Sequence, residues 1–268
     1  CYPLETSMKF ADGQIECTIK NGIAWVTLDR PEKRNAITGA MWRAMPDLTK
    51  MLAENDEVRS VVLRGAGNKA FAAGAAIEEF SDNYKSAESA RIYNDNFRAG
   101  ELAFAGLLKP VVAMIHGACV GGGCELAMVC VQRFASEGSK YGIPPAKLGT
   151  AVSFGDTKQL VDLVGHAKAR DLLYTGRLID ADEALAIGLI DRIYPEAELE
   201  TAVRAYCEEL GAVSQNSIAV AKQMIAAVVA GADPDAPAYR KLFDDSFVSD
   251  DFKEGYKAFL EKRKPNFN

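Results

Sequence analysis

The chain has 268 residues, of which 49% are hydrophobic and 25% charged, the balance of a globular protein that can bury a substantial core. Its net charge is −6 and the sequence has no long basic run, which argues against nucleic acid as a partner. The longest apolar stretch, 110–131, contains His116 and Glu125 and is interpreted as a buried strand and helix rather than a membrane span. We therefore expect a cytoplasmic protein.

The cysteines lack the spacing of metal ligands, and only His116 and His166 are available to join them, so no metal site is predicted. They are Cys1, Cys17, Cys119, Cys124, Cys130 and Cys207. Three of them lie in the apolar stretch, where buried free thiols are the simplest interpretation, and a reducing compartment fits best.

Strand and helix signals alternate along the first two-thirds of the chain. Asn21-Gly22, between two β-branched runs, predicts a tight hairpin. The predicted strands are 15–19, 23–28, 58–64, 111–115, 133–135 and 189–194. The predicted helices are 38–54, 75–107, a helix after the glycine run 121–123, 157–164, 167–174 and 181–187. This alternation is typical of an α/β fold.

From Ala197 onward the pattern is helical, with loop signals at 231–237. We therefore divide the chain into a core, 1–196, and a C-terminal helical region, 197–268. An apolar stripe in this region favours assembly of subunits and is equally compatible with packing inside one chain. Its residues are Ile218, Ala221, Ile225 and Val228.

A glycine run follows the predicted strand 111–115 and opens a helix that carries Glu125 in its first turn. Glycines allow a ligand to approach the main chain, and the first N–H groups of a helix lack internal partners at its positive end. Such a turn suits an oxygen that becomes negative during a reaction, with Glu125 beside it as a proton carrier. The alternative is close packing of strand against helix, with Glu125 as a first-turn acid. The dinucleotide fingerprint is missing.

A second segment, 69–80, places small residues before a helix and can supply another backbone donor near Ala75. By itself such a run of alanine and glycine more often serves packing.

Together the two segments strongly resemble the crotonase, or enoyl-CoA hydratase/isomerase, superfamily. The motifs are A-F-A-A-G-A-x-I from Ala70 and G-A-x-x-G-G-G-C-E-L-A-M from Gly117. The resemblance begins at Leu28 with L-D-R-P-E-K-R-N-A and closes at Phe259 with F-L-E-K-R-K-P-N-F. It implies an α/β fold with a ββα spiral core, 1–196, that holds an acyl-CoA site, and a C-terminal helical trimerisation region. Homotrimers or homohexamers are expected.

The resemblance also implies the roles of individual residues. The backbone N–H groups of Ala75 and Gly122 would hold the thioester oxygen of an acyl-CoA, and Glu125 would be the acid–base residue. No cofactor is expected beyond the coenzyme A of the substrate. The residues that would contact coenzyme A are Lys33, Arg34, Ala36, Ala70, Ala73, Phe259 and Lys262, the last two in some members from a neighbouring subunit.

The chain departs from the family pattern at the second glutamate of the hydratases, where it has Pro145. Because proline has no side-chain proton to exchange, we expect slow hydration of crotonyl-CoA. Three further departures are Ala76, Val131 and His166. Ser153 lies in the loop that lines the acyl pocket in relatives, and Asp156 is interpreted as the cap of the helix that follows.

Several functions stay open at this point. The first is an enoyl-CoA hydratase/isomerase type of enzyme with a single catalytic glutamate. The second is decarboxylation of a malonyl-type CoA thioester, in which the same donors would stabilise the enolate left by loss of CO₂. Hydrolysis or C–C cleavage of a β-dicarbonyl is a third, and a catalytically weak acyl-CoA-binding homologue is a fourth.

Overall fold

The computed structural model describes residues 6–267, so Cys1 lies outside the described residues. The strands are β1 (Thr6–Phe10), β2 (Ile15–Lys20), β3 (Ile23–Leu28), β4 (Ser60–Gly65), β5 (Ala70–Ala72), β6 (Val111–Ile115), β7 (Ala118–Val120), β8 (Gln132–Ser136), β9 (Lys140–Gly142), β10 (Ile179–Asp180) and β11 (Arg192–Tyr194). The helices are α1 (Gly39–Glu54), α2 (Phe80–Asn83), α3 (Ala87–Gly106), α4 (Gly122–Met128), α5 (Phe154–Thr175), α6 (Ala181–Ala186), α7 (Glu196–Gly211), α8 (Gln215–Val229), α9 (Pro237–Ser246) and α10 (Asp250–Leu260).

The large sheet has seven strands in the order β1-β2-β3-β4-β6-β8-β11. Strands β1 to β3 are antiparallel neighbours, and the pairs from β3 to β11 are parallel. The predicted hairpin is confirmed, since Lys20 pairs with Ile23 around Asn21 (φ 52°) and Gly22 (φ 77°). Two positive φ angles in a two-residue loop match the twist of the flanking strands.

The core covers both faces of this sheet, as expected for buried parallel strands. On one face Met41, Met45 and Leu48 of α1 belong to the main apolar cluster. On the other face Val203 of α7 packs in a second cluster with Trp25. Helix α7, counted with the C-terminal region in the sequence, therefore packs on the core sheet, and the division at residue 196 stays a prediction.

A second sheet, in the order β10-β9-β7-β5, was not predicted from the sequence. Its strands are two or three residues long, too short to show a hydrophobic period. Strands β5 and β7 run parallel, with Ala70 opposite Ala118 and Ala72 opposite Cys119. Because the two strands are parallel, the glycine-containing segments that follow them leave the sheet at the same edge.

Two helix predictions need correction. The segment 75–107 is not one helix, because α2 ends at Asn83 and α3 begins after Ser86, whose hydroxyl accepts a hydrogen bond from the Ser89 amide at 3.1 Å. In the 157–174 segment the break at Gly165 (φ 74°, ψ 158°) is confirmed. However, the helix begins at Phe154, because Ser153 and not Asp156 is its N-cap.

The five cysteines within the described residues are buried and free of disulfides. Among residues 6–267 the structure has no helix that is both long and apolar enough to span a bilayer.

Candidate active site

The two glycine turns that follow β5 and β7 lie in contact. Gly74 has φ 104° and Gly121 has φ 53°, conformations that favour glycine. A Cβ on Gly121 would lie 3.6 Å from the Gly74 Cα, so the two main chains meet at van der Waals distance. A Cβ on Gly123 would lie 2.3 Å from the Ala72 carbonyl oxygen, which explains why the third residue of the run 121–123 is also a glycine. Ala75 and Gly122 each follow directly after one of the two touching glycines.

The amides of Ala75 and Gly122 are free of protein acceptors among residues 6–267. Around Ala75, the Ile37 amide donates to the Gly74 carbonyl at 2.8 Å, and the Ala76 amide donates to the Ile37 carbonyl at 2.9 Å. Gly122 is the first residue of α4, where an N–H has no acceptor inside the helix. The structure therefore places two free donors on adjoining turns, and their role as oxyanion donors stays a prediction.

Glu125 lies in the first turn of α4 and is 8% exposed. Burial and the charge of Asp156, with no hydrogen bond from a described residue, are the influences on its carboxyl group. Its amide donates to the Gly121 carbonyl at 2.9 Å. Burial raises the pKa of Glu125 to about 8, and the negative charge of Asp156 adds to the rise. At neutral pH the Glu125 carboxyl is therefore mainly protonated, so it can act as an acid.

Two further carboxyl groups lie near Glu125. Glu101 on α3 is completely buried, and Asp156 on α5 is 2% exposed. Arg98 Nη1 donates to Glu101 Oε2 at 3.2 Å and to Asp156 Oδ1 at 3.5 Å. The Ser153 hydroxyl donates to Asp156 Oδ2 at 2.5 Å. Glu101 could not be predicted from the sequence, because a single acid in a largely polar helix carries no local signal.

The predicted coenzyme A residues of the core fall into one neighbourhood. The Ala73 amide donates to the Arg34 carbonyl at 3.0 Å, and Arg34 and Ala70 both line a cavity of about 300 Å³. Asn35 holds this wall together, since its side-chain amide donates to the carbonyls of Ala66 at 3.0 Å and Ala70 at 2.8 Å.

The remaining core members of the predicted coenzyme A set lie beside this wall. Lys33 is exposed, and the Ala36 carbonyl accepts a hydrogen bond from Arg30 at 2.8 Å. Phe259 and Lys262 at the end of α10 are exposed, Phe259 at 81%. Within residues 6–267 no hydrogen bond or ion pair joins either of them to the cavity wall. Their contact with coenzyme A stays a prediction.

The four positions that depart from the family pattern have different surroundings. Pro145 begins a short turn, Pro145–Lys147, and its carbonyl accepts from the amides of Leu148 at 2.9 Å and Thr150 at 3.1 Å. Ala76 is buried at 1% exposure, where a carboxylate would need a partner. The Val131 amide donates to the Val111 carbonyl at 2.8 Å. His166 is exposed, as expected.

Comparison with known proteins gives one consistent family. The family model described as enoyl-CoA hydratase/isomerase matches residues 18–268. The short-chain-enoyl-CoA hydratase of Clostridium acetobutylicum is 34% identical over 245 residues, covering 90% of this chain and 92% of that protein. The crotonyl-CoA hydratase of Syntrophomonas wolfei is 34% identical over 249 residues, covering 91% and 94%.

Solved structures agree with these relatives. A structure from Hyphomonas neptunium has a TM-score of 0.94 with 38% identity and covers 97% of this chain and 99% of that chain. An enoyl-CoA hydratase/carnithine racemase from Magnetospirillum magneticum has a TM-score of 0.90 with 34% identity and covers 95% of both chains. The predicted α/β fold of the crotonase type is thereby confirmed.

Proposed function

The chain belongs to the enoyl-CoA hydratase/isomerase family, and we propose that it stabilises the enolate of an acyl-CoA thioester with Glu125 as its single catalytic glutamate. At the coarser level it is a crotonase-type acyl-CoA enzyme. The observation that carries the finer proposal is the pair of free amides, Ala75 and Gly122, on touching turns at the start of the helix that holds Glu125.

The two amides would accept the thioester oxygen between them. When a proton leaves Cα, or when water adds to Cβ of an α,β-unsaturated thioester, negative charge collects on the thioester oxygen. Donors fixed in place before the reaction then lower the barrier. Both amides belong to backbone held by strand pairing and helix geometry, so little reorganisation is needed when the charge appears.

Glu125 would carry the proton. Its raised pKa, about 8, lies near neutral pH, where a group can both give and accept a proton efficiently. Among the described residues, the Glu125 carboxyl group has no hydrogen-bond partner that it must leave before it reacts. One such group suffices to move a proton between carbons of a bound thioester.

Decarboxylation of a malonyl-type CoA thioester is the second candidate. Pro145 favours it, because loss of CO₂ needs no second carboxylate to activate water. The carboxyl–Cα bond breaks, its electrons pass into the enolate held by the two amides, and protonated Glu125 returns a proton to Cα.

Coenzyme A would lie along the wall formed by Lys33, Arg34 and Ala36, with Ala70 and Ala73 beside its adenine. Support comes from the cavity of about 300 Å³ that Arg34 and Ala70 line together. Lys262 would pair with a phosphate and Phe259 would cover the ligand, from the same or a neighbouring subunit of a homotrimer or homohexamer.

The test compares wild-type protein with Glu125→Gln. In D₂O the wild type should exchange the Cα protons of butyryl-CoA, and Glu125→Gln should lower the rate by about 10²–10⁴-fold, the usual contribution of a general acid–base group. Glu137→Gln makes the same chemical change on an exposed residue and should leave the rate unchanged. Equal exchange in wild type and Glu125→Gln would contradict the proposal.

Two further substrates separate the candidates. Release of CO₂ from methylmalonyl-CoA at a higher kcat/KM than hydration of crotonyl-CoA would favour the decarboxylase. Tight binding of butyryl-CoA without turnover or exchange of any substrate would instead support the acyl-CoA-binding homologue.

A further inference from the structure

Glu101 is a buried acid whose hydrogen bonding is incomplete. It is completely buried on α3, and no N–H or O–H group of the described residues donates to its Oε1, while its side chain lies within hydrogen-bonding reach of Asp156. Burying a polar atom without a partner costs free energy, so such a group usually has a role or an additional ligand. Its other oxygen, Oε2, accepts from Arg98 at 3.2 Å.

A single cation faces two buried carboxyl groups here. Arg98 reaches Glu101 and, at 3.5 Å, Asp156. The Arg98 guanidinium also packs on the main chain at the start of α5, since a Cβ on Gly155 would lie 2.9 Å from its Cζ. One positive charge cannot balance the carboxyl groups of Glu101 and Asp156 together with the nearby Glu125. This cluster of carboxyl groups can therefore hold a proton.

The charges around Glu101 point the same way. Burial raises the pKa of Glu101 to about 9, the charges of Asp156 on α5 and Glu125 on α4 add to the rise, and Arg98 opposes it. At neutral pH the Glu101 carboxyl is therefore mainly protonated.

Ser153 connects this buried pair to the outside. Ser153 is exposed, and its hydroxyl donates a hydrogen bond at 2.5 Å to Oδ2 of Asp156, which is buried. Asp156 raises the pKa of Glu125, so the two carboxyls sense each other, and α4 contacts α5. A chain of groups thus runs from the surface of the loop through Asp156 to Glu101.

Helix capping alone does not explain this arrangement. The Ser153 hydroxyl does cap α5, accepting from the Asp156 amide at 3.1 Å. A comparable cap begins α8, where the Ser214 hydroxyl accepts from Ser217 at 3.0 Å and donates to Asp251 at 2.6 Å. Besides Ser214, Asp251 accepts from the Asn216 amide at 3.2 Å, whereas Asp156 shares the Arg98 cation with the buried Glu101.

We propose that Ser153, Asp156 and Glu101 form a proton relay that replaces the second carboxylate, whose place is taken by Pro145. The inference rests on the proposed function, because it assumes that Glu125 and the two amides act on an acyl-CoA. Ser153 would touch the reacting water. Asp156 and Glu101 act through it and are positioning residues.

In the addition of water to an enoyl-CoA the atoms balance as follows. The water oxygen bonds to Cβ, the C=C π electrons move towards Cα, and Glu125 gives its proton to Cα. The proton lost by the water passes to Ser153 Oγ while the Ser153 hydroxyl proton passes to Asp156 Oδ2. Glu101 holds its own proton throughout and so adds no negative charge beside Asp156.

The test separates two reactions of the same site. Exchange of Cα protons of butyryl-CoA in D₂O needs only Glu125 and the amides, whereas hydration of crotonyl-CoA also needs a group that takes a proton from water. Asp156→Asn should lower hydration by about 10²-fold, within the range for a general base. At its own pH optimum it should keep the exchange rate within about threefold, a change too small for loss of such a group.

Variants of Ser153 distinguish a relay from a cap. Ser153→Ala should lower hydration selectively, and Ser153→Thr, which keeps a hydroxyl that can cap and donate, should restore it. Ser214→Ala removes the comparable cap of α8 and should change neither rate. Glu101→Gln stays neutral, like protonated Glu101, and should keep hydration. Glu101→Met fills a similar volume without the acid and should lower hydration and shift its pH profile even if Asp156→Asn folds poorly.

Failure of the relay and failure of the proposed function look different. Unchanged hydration in Asp156→Asn and Ser153→Ala, equal loss of hydration and exchange, or no measurable hydration by the wild type would overturn the relay. The proposed function fails separately, if Glu125→Gln exchanges Cα protons as fast as the wild type.

Discussion

Replacing Gly122 by proline would remove one of the two free amides and keep the helix that follows. Gly122 is the first residue of α4, the helix position that accepts proline most readily. The preceding residue, Gly121, has φ 53° and ψ −129°, the mirror image of the extended conformation that normally precedes proline, and glycine adopts both equally. The main chain can therefore accept the ring.

The matched control is Gly122→Ala, which keeps the N–H. Both variants add a Cβ that would lie 3.1 Å from Phe97 Cε2, so both need a small shift of that ring. The difference between Gly122→Pro and Gly122→Ala therefore reports the loss of the donor. Removing one donor of this kind costs about 10²–10³ in kcat, or about 2.7–4 kcal/mol of transition-state stabilisation.

The assay is Cα-proton exchange of butyryl-CoA, with the melting temperature measured in parallel. We expect Gly122→Ala to retain exchange within about tenfold of the wild type and Gly122→Pro to fall a further 10²-fold or more. If the two variants exchange at the same rate while both remain folded, the Gly122 amide is not an oxyanion donor and the mechanism is wrong.

Three other predictions follow from the structure. Because the pKa of Glu125 is raised to about 8, its proton-donating form is present below that pH and is lost above it. A step that needs this acid should therefore slow as the pH rises through about 8, and a rate independent of pH from 6 to 10 would contradict the prediction. Asn35→Ala should lower the free energy of unfolding by about 2–3 kcal/mol and weaken coenzyme A binding, since the buried Ala70 carbonyl and the partly buried Ala66 carbonyl lose their donor. Asn35→Gly, which tolerates the positive φ of 55°, is the control for backbone strain, and equal stability of Asn35→Ala and wild type would refute the role. Sedimentation should give a mass three or six times that of one chain, because Val228 (77% exposed) and Phe259 (81%) leave apolar surface uncovered, and a monomer at micromolar concentration would exclude the assembly.

Local features of the molecule were readable from the sequence because a few adjacent residues determine them. The Asn21-Gly22 hairpin depends on two residues that tolerate positive φ, and the turn before α4 depends on glycines where a Cβ would collide with Ala72. The family motifs likewise pointed to Gly122 and Glu125 in the first turn of α4 and to Ala75 in the connection after β5.

Only the tertiary structure decided which of these pieces meet. The pairing of β5 with β7, strands of three residues each, brings the two glycine turns into contact, and so short a strand carries no period of its own. Burial is also a property of the whole fold. Burial raises the pKa of Glu125, and the fold brings Glu101 on α3 beside Asp156 on α5, 55 positions away in the chain. Desolvation and nearby charge depend on what surrounds a carboxyl group in space rather than on its neighbours in sequence.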